Sequence, residues 1–342
     1  MTGRFQDAMI RIAIDAMGGD RGPRTVVQGA LVAARDLPLE LTLVGPEEEL
    51  RAELARAGSA TGVIRVCHAG SVVGMAESPS EALRRKPDAS VRVSAALLAS
   101  GEVDAVVGVG HTGAMVMAVH AALGMIPGVD RPALATGVPT SAGVGVLLDA
   151  GANVGCRPGH LVQFAVMGSV FARVAFGIER PRVGLLSIGE EETKGNELIR
   201  DAHRLLKDSS LNFVGNVDAR ALYHGTADVI VCDGFTGNVA LKVSEGLAEL
   251  IAELMAAELS GPAAPSLSLP IRRSIRRLRK RLDYAEYGGA PLLGVAGLAV
   301  VGHGRSSARA VRNAIALAHR FAESGLVDRI QSEIAAAGAS HT

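Results

Sequence analysis

The sequence of 342 residues predicts an α/β protein built on a mostly parallel sheet. Three observations predict it. Short apolar runs alternate with segments whose apolar residues recur at helical spacing, the signature of repeated βαβ units. Those runs end in turns of glycine with Asp, Asn, Thr, His or Lys, the chemistry expected where strands of an open sheet meet their helices. Hydrophobic residues make up 48% and charged residues 20% of the chain, a globular balance with ample material for a core.

Taken in order, Arg11–Asp15 reads as the first strand and runs into the glycine-rich turn Asp15–Asp20. Pro23 suits a helix start, and Val26–Ala34 is helical in pattern. Leu39–Val44 is the next strand, and the acidic Glu47–Glu49 open a helix where its dipole favours them. Val63–Cys67 and Val103–Val107 are strands, with helical segments Pro79–Lys86 and Val91–Ser100 between them. Ala133–Val138 and Val144–Asp149 read as a further pair, antiparallel to each other, before a long helix, Pro158–Phe176. The apolar run Val183–Ile188 breaks at Gly189 into Glu190–Glu192, Thr193, Lys194, Gly195 and Asn196, and a helix follows to Lys207. Strands are expected at Asn212–Val214, Asp228–Cys232 and Leu298–Val301. Val239 begins a long amphipathic helix that stops at Ser260-Gly261-Pro262. Tyr287–Leu293 reads as a glycine-rich loop, and Ala308–Ser324 as the last helix. The expected organisation is a loose leader at 1–9, one catalytic domain over 10–330 and a tail at 331–342.

Composition excludes several classes. Lys+Arg and Asp+Glu each number 35, so the molecule has no net field, and any attraction to a charged partner is local. Aromatics are 3% and Trp is absent, which argues against a base-stacking platform and so against a nucleic-acid partner. Cys67, Cys156 and Cys232 follow no zinc spacing and read as reduced core thiols; no metal or cofactor is expected. The N-terminus has no apolar signal core, and Ala114–Ile126 falls short of the ~18–20 residues a spanning helix needs.

The motifs narrow the chemistry further. Gly108, Gly110 and Gly113 match G-x-G-x-x-G between a strand and a helix, but a dinucleotide site also needs an acid ending the next strand, and Asp130 lies in a loop. There is no P-loop, no G-x-S-x-G elbow and no H-E-x-x-H. Nothing basic adjoins Cys232 to make a thiolate, and Glu190–Glu192 read as solvated charge. Six strand-end turns share one composition: Asp15–Asp20, Gly110–Gly113, Asp149–Asn153, Gly189–Asn196, Asp233–Asn238 and Gly302–Ser307. Helix-start amides with lysines nearby make an anion site, and in a parallel sheet these turns converge on one crevice. Seven of the ten residues Arg272–Arg281 are basic on an amphipathic helical pattern. Such a face suits an acidic carrier protein or an anionic lipid surface.

The strings IAIDAMGGDRGP, GHTGA, LLDAGANV, SIGEEETKGNEL, VCDGFTGNVALK and YGGAPLLGV resemble the PlsX family of phosphate acyltransferases, from about Ile12 to Ala322. The resemblance implies a three-layer α/β/α sandwich of the phosphotransacetylase and isocitrate dehydrogenase-like group. It adds a protruding helical hairpin over about 239–284. It implies transfer of an acyl group from acyl-acyl carrier protein to inorganic phosphate, with acyl phosphate passed to a membrane glycerol-3-phosphate acyltransferase. It also implies a cytoplasmic homodimer that docks reversibly on the membrane. Lys194 and Asn238 become the expected catalytic pair. Gly110, His111, Thr112, Gly113, Asn153, Asn196, Asp233, Thr236, Gly237, Lys242 and His303 are the expected phosphate and substrate contacts. Arg272, Arg273, Arg276, Arg277, Arg279 and Lys280 are expected to meet the membrane or the carrier protein. The family more often has Asn at the position of His111. Two other readings are a nicotinamide-dependent decarboxylating dehydrogenase of related fold and a non-enzymatic carrier-protein or lipid-surface adaptor.

Overall fold

The computed structural model describes residues 9–58, 64–260 and 288–339, together with 273, 274 and 277. Eleven strands form one sheet in the order β3-β2-β1-β4-β11-β10-β5-β6-β9-β7-β8. On one side stand β1 (Ile10–Asp15), β2 (Leu39–Gly45), β3 (Ile64–His68), β4 (Ala105–Val109) and β11 (Ala299–Gly302), all parallel. On the other stand β6 (Gly143–Leu148), β7 (Val183–Leu186), β8 (Phe213–Val217) and β9 (Val229–Val231), also parallel. Between them lie β10 (Ala290–Leu293) and β5 (Ala133–Thr140). The pairs β11–β10, β10–β5 and β5–β6 are antiparallel.

Three successive antiparallel steps reverse the direction of the second half. The expectation that all six turns converge on one edge is therefore corrected. The turns after β1, β4 and β11 end on one edge; those after β6, β9 and β7 end on the opposite one. They can still share a crevice because one of the two central strands is short. A four-residue strand such as β10 spans about 13 Å.

Alternating strand residues feed two faces. Ile12, Ile14, Leu41, Leu43, Val107, Leu148, Val183 and Val229 face one helical layer. That layer holds α1 (Gly22–Asp36), α2 (Glu47–Arg56), α6 (Pro158–Phe176), α7 (Glu197–Lys207), α10 (Ala308–Glu323) and α11 (Leu326–Ala339). Ala13, Val106, Leu134, Leu292 and Val301, with Leu147 and Ile230 further along, face the other layer. That layer holds α3 (Pro79–Arg85), α4 (Ser90–Ala99), α5 (Thr112–Leu123), α8 (Ala221–His224) and α9 (Gly234–Ser260). The three-layer α/β/α sandwich is the expected one. Helix α6 is long and apolar enough to cross a membrane by length and composition, but it is packed between the sheet and α7 and α11.

Several local expectations are corrected. Part of the glycine-rich loop Tyr287–Leu293 is strand β10. The expected tail is mostly helix α11, whose Leu326, Ile330 and Ile334 are buried at i, i+4, i+8 spacing. Helix α9 begins at Gly234 rather than Val239. Its stripe Val239, Val243, Leu247, Leu250 and Leu254 is about half-exposed or more. Apart from Met9, the expected leader lies outside the described residues, as does most of the second arm of the expected hairpin, including Arg272, Arg276, Arg279 and Lys280. Arg273 and Arg277 have helical backbone and are exposed.

Candidate active site

A crevice of about 830 Å³ opens on the α5–α9 face of the sheet centre. Its floor is Leu134, Val138 and Val301 from the central strands, and α9 forms a wall with Leu241, Leu247, Ala248 and Ile251. Polar groups cluster at the two ends. Gly110, Thr112 and Gly113 bring the start of α5 to one end, beside Lys242, Glu245, His303 and Gly304. Gly151 and Asn238 come from the opposite sheet edge.

The first end is built by interlocked turns. Gly110 of G-x-G-x-x-G is needed because backbone meets backbone there: a Cβ on it would lie 2.7 Å from Gly18 Cα. The Asp20 amide donates to Gly304 O at 2.8 Å, tying the β1 turn to the β11 turn. From α9, Lys242 Nζ reaches Glu245 Oε2 at 2.7 Å and His303 Nε2 at 2.9 Å, and Glu249 accepts from Arg305 at 2.9 Å. Burial, with Lys242 next in size, holds the His303 imidazolium below the ordinary histidine range.

At the second end the organising group is Asp149, which opens one of the six strand-end turns but is not among the expected substrate contacts. Its buried carboxylate accepts the backbone N–H groups of Leu134, Gly151, Ala152 and Asn153 at 2.8–3.0 Å, and the Asn153 side-chain amide at 2.8 Å. Burial pushes this carboxyl up, and the N–H donors oppose the shift. The turn it holds receives the start of α9. Gly234 N donates to Asn153 O at 2.8 Å, and a Cβ on Gly237 would lie 1.9 Å from Asp149 O. Asn238 then stands against Gly151, whose φ of +138° favours glycine.

The expected site residues therefore separate. Gly110, Thr112, Gly113, Asn238, Lys242 and His303 line the crevice. His111 does not: its Nε2 is 3.1 Å from Glu77 O, tying the α5 start to a neighbouring loop. Asn153 is a buried brace that also donates to Pro132 O at 2.6 Å. Asn196 caps α7, accepting from Ile199 N at 3.0 Å. Asp233 accepts from Thr236 N and Oγ1 at 3.0 and 2.7 Å, so this pair shapes the first turn of α9, and Gly237 packs on Asp149. His111 and these five lie outside the crevice wall. Lys194 is exposed and also outside the wall. Its turn follows β7, the strand next to β9, whose turn carries Asn238, so the two residues share a sheet edge on neighbouring strands.

The acidic turn beside Lys194 is more than solvated charge. Glu192 takes Lys207 at 2.7 Å and faces the buried His203 at 3.4 Å. Asn216 donates to Glu191 O and accepts from His203 Nδ1, both at 2.9 Å. Burial pushes the Cys232 thiol well up, and its Sγ lies 3.7 Å from Asp149 O, so it is a packing group rather than a thiolate. Sequence reasoning missed Glu245 and the apolar walls from β5 and α9. Their signal, apolar residues on a second face of α9, looks like ordinary core.

Comparison with known proteins agrees with this architecture. A phosphotransacetylase from Streptococcus pyogenes superposes with a TM-score of 0.64 at 17% identity, covering 92% of this chain and 94% of that one. A branched-chain phosphotransacylase from Enterococcus faecalis gives 0.56 at 15% identity, covering 92% and 99%. Both show the fold. In sequence, the phosphate acyltransferase of Pelotomaculum thermopropionicum is 50% identical over 95% of each chain. That of Geobacter sulfurreducens is 47% identical over 95% of this chain and 94% of its own. A family model described as "Fatty acid synthesis protein" matches residues 10–329, and the chain belongs to that family, the PlsX-type acyltransferases.

Proposed function

We propose that the protein transfers a fatty acyl group from acyl-acyl carrier protein to inorganic phosphate, giving acyl phosphate and the free carrier-protein thiol. The crevice carries this reading: it is apolar along the central strands and α9, and it ends at a helix start with Lys242 and His303 beside it. Apolar walls suit an acyl chain, and helix-start amides with a cation suit phosphate. A phosphate oxygen attacks the thioester carbon, forming a C–O bond and pushing the carbonyl electrons onto oxygen. The tetrahedral species collapses, the C–S bond breaks, and the proton carried by phosphate ends on sulfur. Phosphate is already an anion at neutral pH, so positioning and oxyanion stabilisation are the main tasks.

In this reading Lys194 neutralises phosphate or the developing oxyanion, and the Asn238 amide donates to it. Their neighbouring places on one sheet edge, with Asn238 in the crevice wall, support the pairing. A folded Lys194→Ala chain is expected to lose ~10²–10³ in rate. Near-normal turnover would remove Lys194 from the site. The reading as a whole is tested by mass spectrometry of acyl-acyl carrier protein incubated with phosphate and the protein. Acyl phosphate is the expected product, and its absence would refute the assignment.

The same reading extends to a cytoplasmic homodimer that docks reversibly on anionic membrane and supplies a membrane glycerol-3-phosphate acyltransferase. The half-exposed apolar stripe of α9 supports a surface of this kind. Sedimentation and flotation with anionic and neutral liposomes test it. A monomer that partitions equally with both would count against it.

A further inference from the structure

The crevice has a third corner, apart from its two polar ends. β5 is antiparallel to β10, and β10 to β11, so β5 runs toward the edge that carries the β11 turn. It starts at the Asp149 turn, where Leu134 O accepts from Ala150 N at 2.8 Å, next to Gly151 and Asn238. Leu134, Thr136, Val138 and Thr140 fall on one face of the strand, and all four line the crevice. At ~3.4 Å per residue they span about 20 Å. The far corner is closed by α8. Ala221 and Leu222 bury this helix in the core with Val138. Ser141, in the turn joining β5 and β6, donates its N–H to Tyr223 O at 2.8 Å and its Oγ–H to His224 O at 2.9 Å. The Tyr223 side chain then crosses to α9, where its hydroxyl meets Ser244 Oγ. Ser244 donates its one hydroxyl hydrogen to Ala240 O at 2.7 Å, so the Tyr223 hydroxyl is the donor to Ser244. The ring therefore stands as a bar from α8 to α9, and both of its residues line the crevice.

A hydrocarbon chain laid along β5 gains from each methylene buried against Leu134 and Val138. At the bar it meets the ring and two hydroxyls already paired with each other, a bond that a methylene cannot replace. We propose that Tyr223, locked by Ser244, sets the longest acyl chain that the crevice accepts. The inference rests on the acyl-transfer reading above, with the thioester carbonyl beside Asn238 and the tail of the chain at Tyr223. Tyr223 touches no reacting atom in this arrangement, so its effect falls on the choice between chain lengths.

The test is kcat/KM for acyl phosphate formation by the full chain across a ladder of saturated acyl-acyl carrier proteins, from medium to very long chains in two-carbon steps. Circular dichroism and melting check folding. The parent is expected to rise by ~4-fold per added methylene up to a break and to rise no further beyond it. Tyr223→Ala is expected to move the break to longer chains. The first length beyond the parent's break then gains ~10-fold or more relative to the length before it. Tyr223→Phe and Ser244→Ala unlock the ring without removing it. Each is expected to blunt the break several-fold, and the double variant to blunt it no more than either single change, because both remove the same bond. A parent profile without a break would overturn the proposal. So would a break at the same length in Tyr223→Ala, or an equal loss there at every length, which would make Tyr223 a packing residue only. If Tyr223→Ala does not fold, an unchanged break in both Tyr223→Phe and Ser244→Ala overturns it. If the parent makes no acyl phosphate at any length, the acyl-transfer reading fails separately. Calorimetric binding of free fatty acids of the same lengths then decides the bar: a break relieved in Tyr223→Ala supports it, and superimposed profiles refute it.

Discussion

Gly237 and Gly246 both lie within α9, and replacing each with alanine tests how the second end of the crevice is built. Helix propensity alone favours both changes by up to ~1 kcal/mol. At Gly246 nothing lies within 4 Å of an added Cβ, so that gain is realised. At Gly237 the new Cβ lies 1.9 Å from Asp149 O and 2.9 Å from Cys232 Sγ. One side must retreat by about 1 Å, and the obstacle is backbone held by the Asp149 carboxylate. Overpacking costs ~1–3 kcal/mol, and losing one N–H bond to a charged acceptor costs ~1.5–3 kcal/mol. Set against the propensity gain, Gly237→Ala is expected to destabilise by roughly 2–4 kcal/mol. Asn238 follows the displaced helix start, and a shift of that size lowers turnover by ~10²-fold. Urea denaturation and acyl phosphate formation measure both quantities. If Gly237→Ala stabilises as much as Gly246→Ala and keeps its rate, the close packing of α9 on the Asp149 turn is refuted.

Three further predictions concern buried polar groups. Asp149→Asn turns an oxygen that accepts two N–H groups into a donor and is expected to cost about 2–4 kcal/mol in urea melts; a change under ~0.5 kcal/mol would contradict the network. Burial pushes the Asp15 carboxyl up, so the folded chain keeps that proton to higher pH than the unfolded chain, whose value is ~3.9. The resulting contribution to stability is present below that pH and is lost as pH rises through the folded value. Asp15→Asn is expected to flatten the decline between pH 4 and 7 in paired urea melts, and an unchanged slope would count against it. Asn216→Ala removes the two bonds linking His203 and Glu191 O and is expected to cost ~1–3 kcal/mol, with faster hydrogen exchange in residues 189–196; unchanged exchange there would show that the turn is held by other contacts.

Much of the fold was legible because its signals are local. Strands such as Leu39–Gly45 are apolar runs, and the α6 span Pro158–Phe176 reads directly from a proline start and a glycine stop. β10 was not legible, since Gly288, Gly289 and Pro291 argue against a central strand. It exists because Ala290 and Pro291 pair with β11, while Leu292 and Leu293 pair with β5. The strand changes partner midway, and Pro291 sits in the half paired with β11. Helix α11 was legible in principle, because Leu326, Ile330 and Ile334 share one face. The reversal of the sheet was not legible, because it depends on which distant strands pair. That one fact separates the turns that the sequence suggested would meet. For the site, composition pointed to the right turns but could not rank their members. Asn153, Asn196, Asp233 and Lys242 are all polar residues in or next to glycine-rich turns. Only the folded contacts separate the brace and the two caps from the crevice residue.

The reversal also gives α9 a mechanical role. The helix is anchored at its start on the turn after β6, through Gly234 and Gly237. Two turns further along it is fastened to the turn after β11, on the far edge, through Lys242, Glu245 and Glu249. It is thus a tie-rod across a sheet whose halves are joined through β10 and β5, the first only four residues long. The gape of the crevice is the length of that rod between its fastenings. Loosening either fastening changes both ends of the site together, however far the altered residue lies from the group it moves.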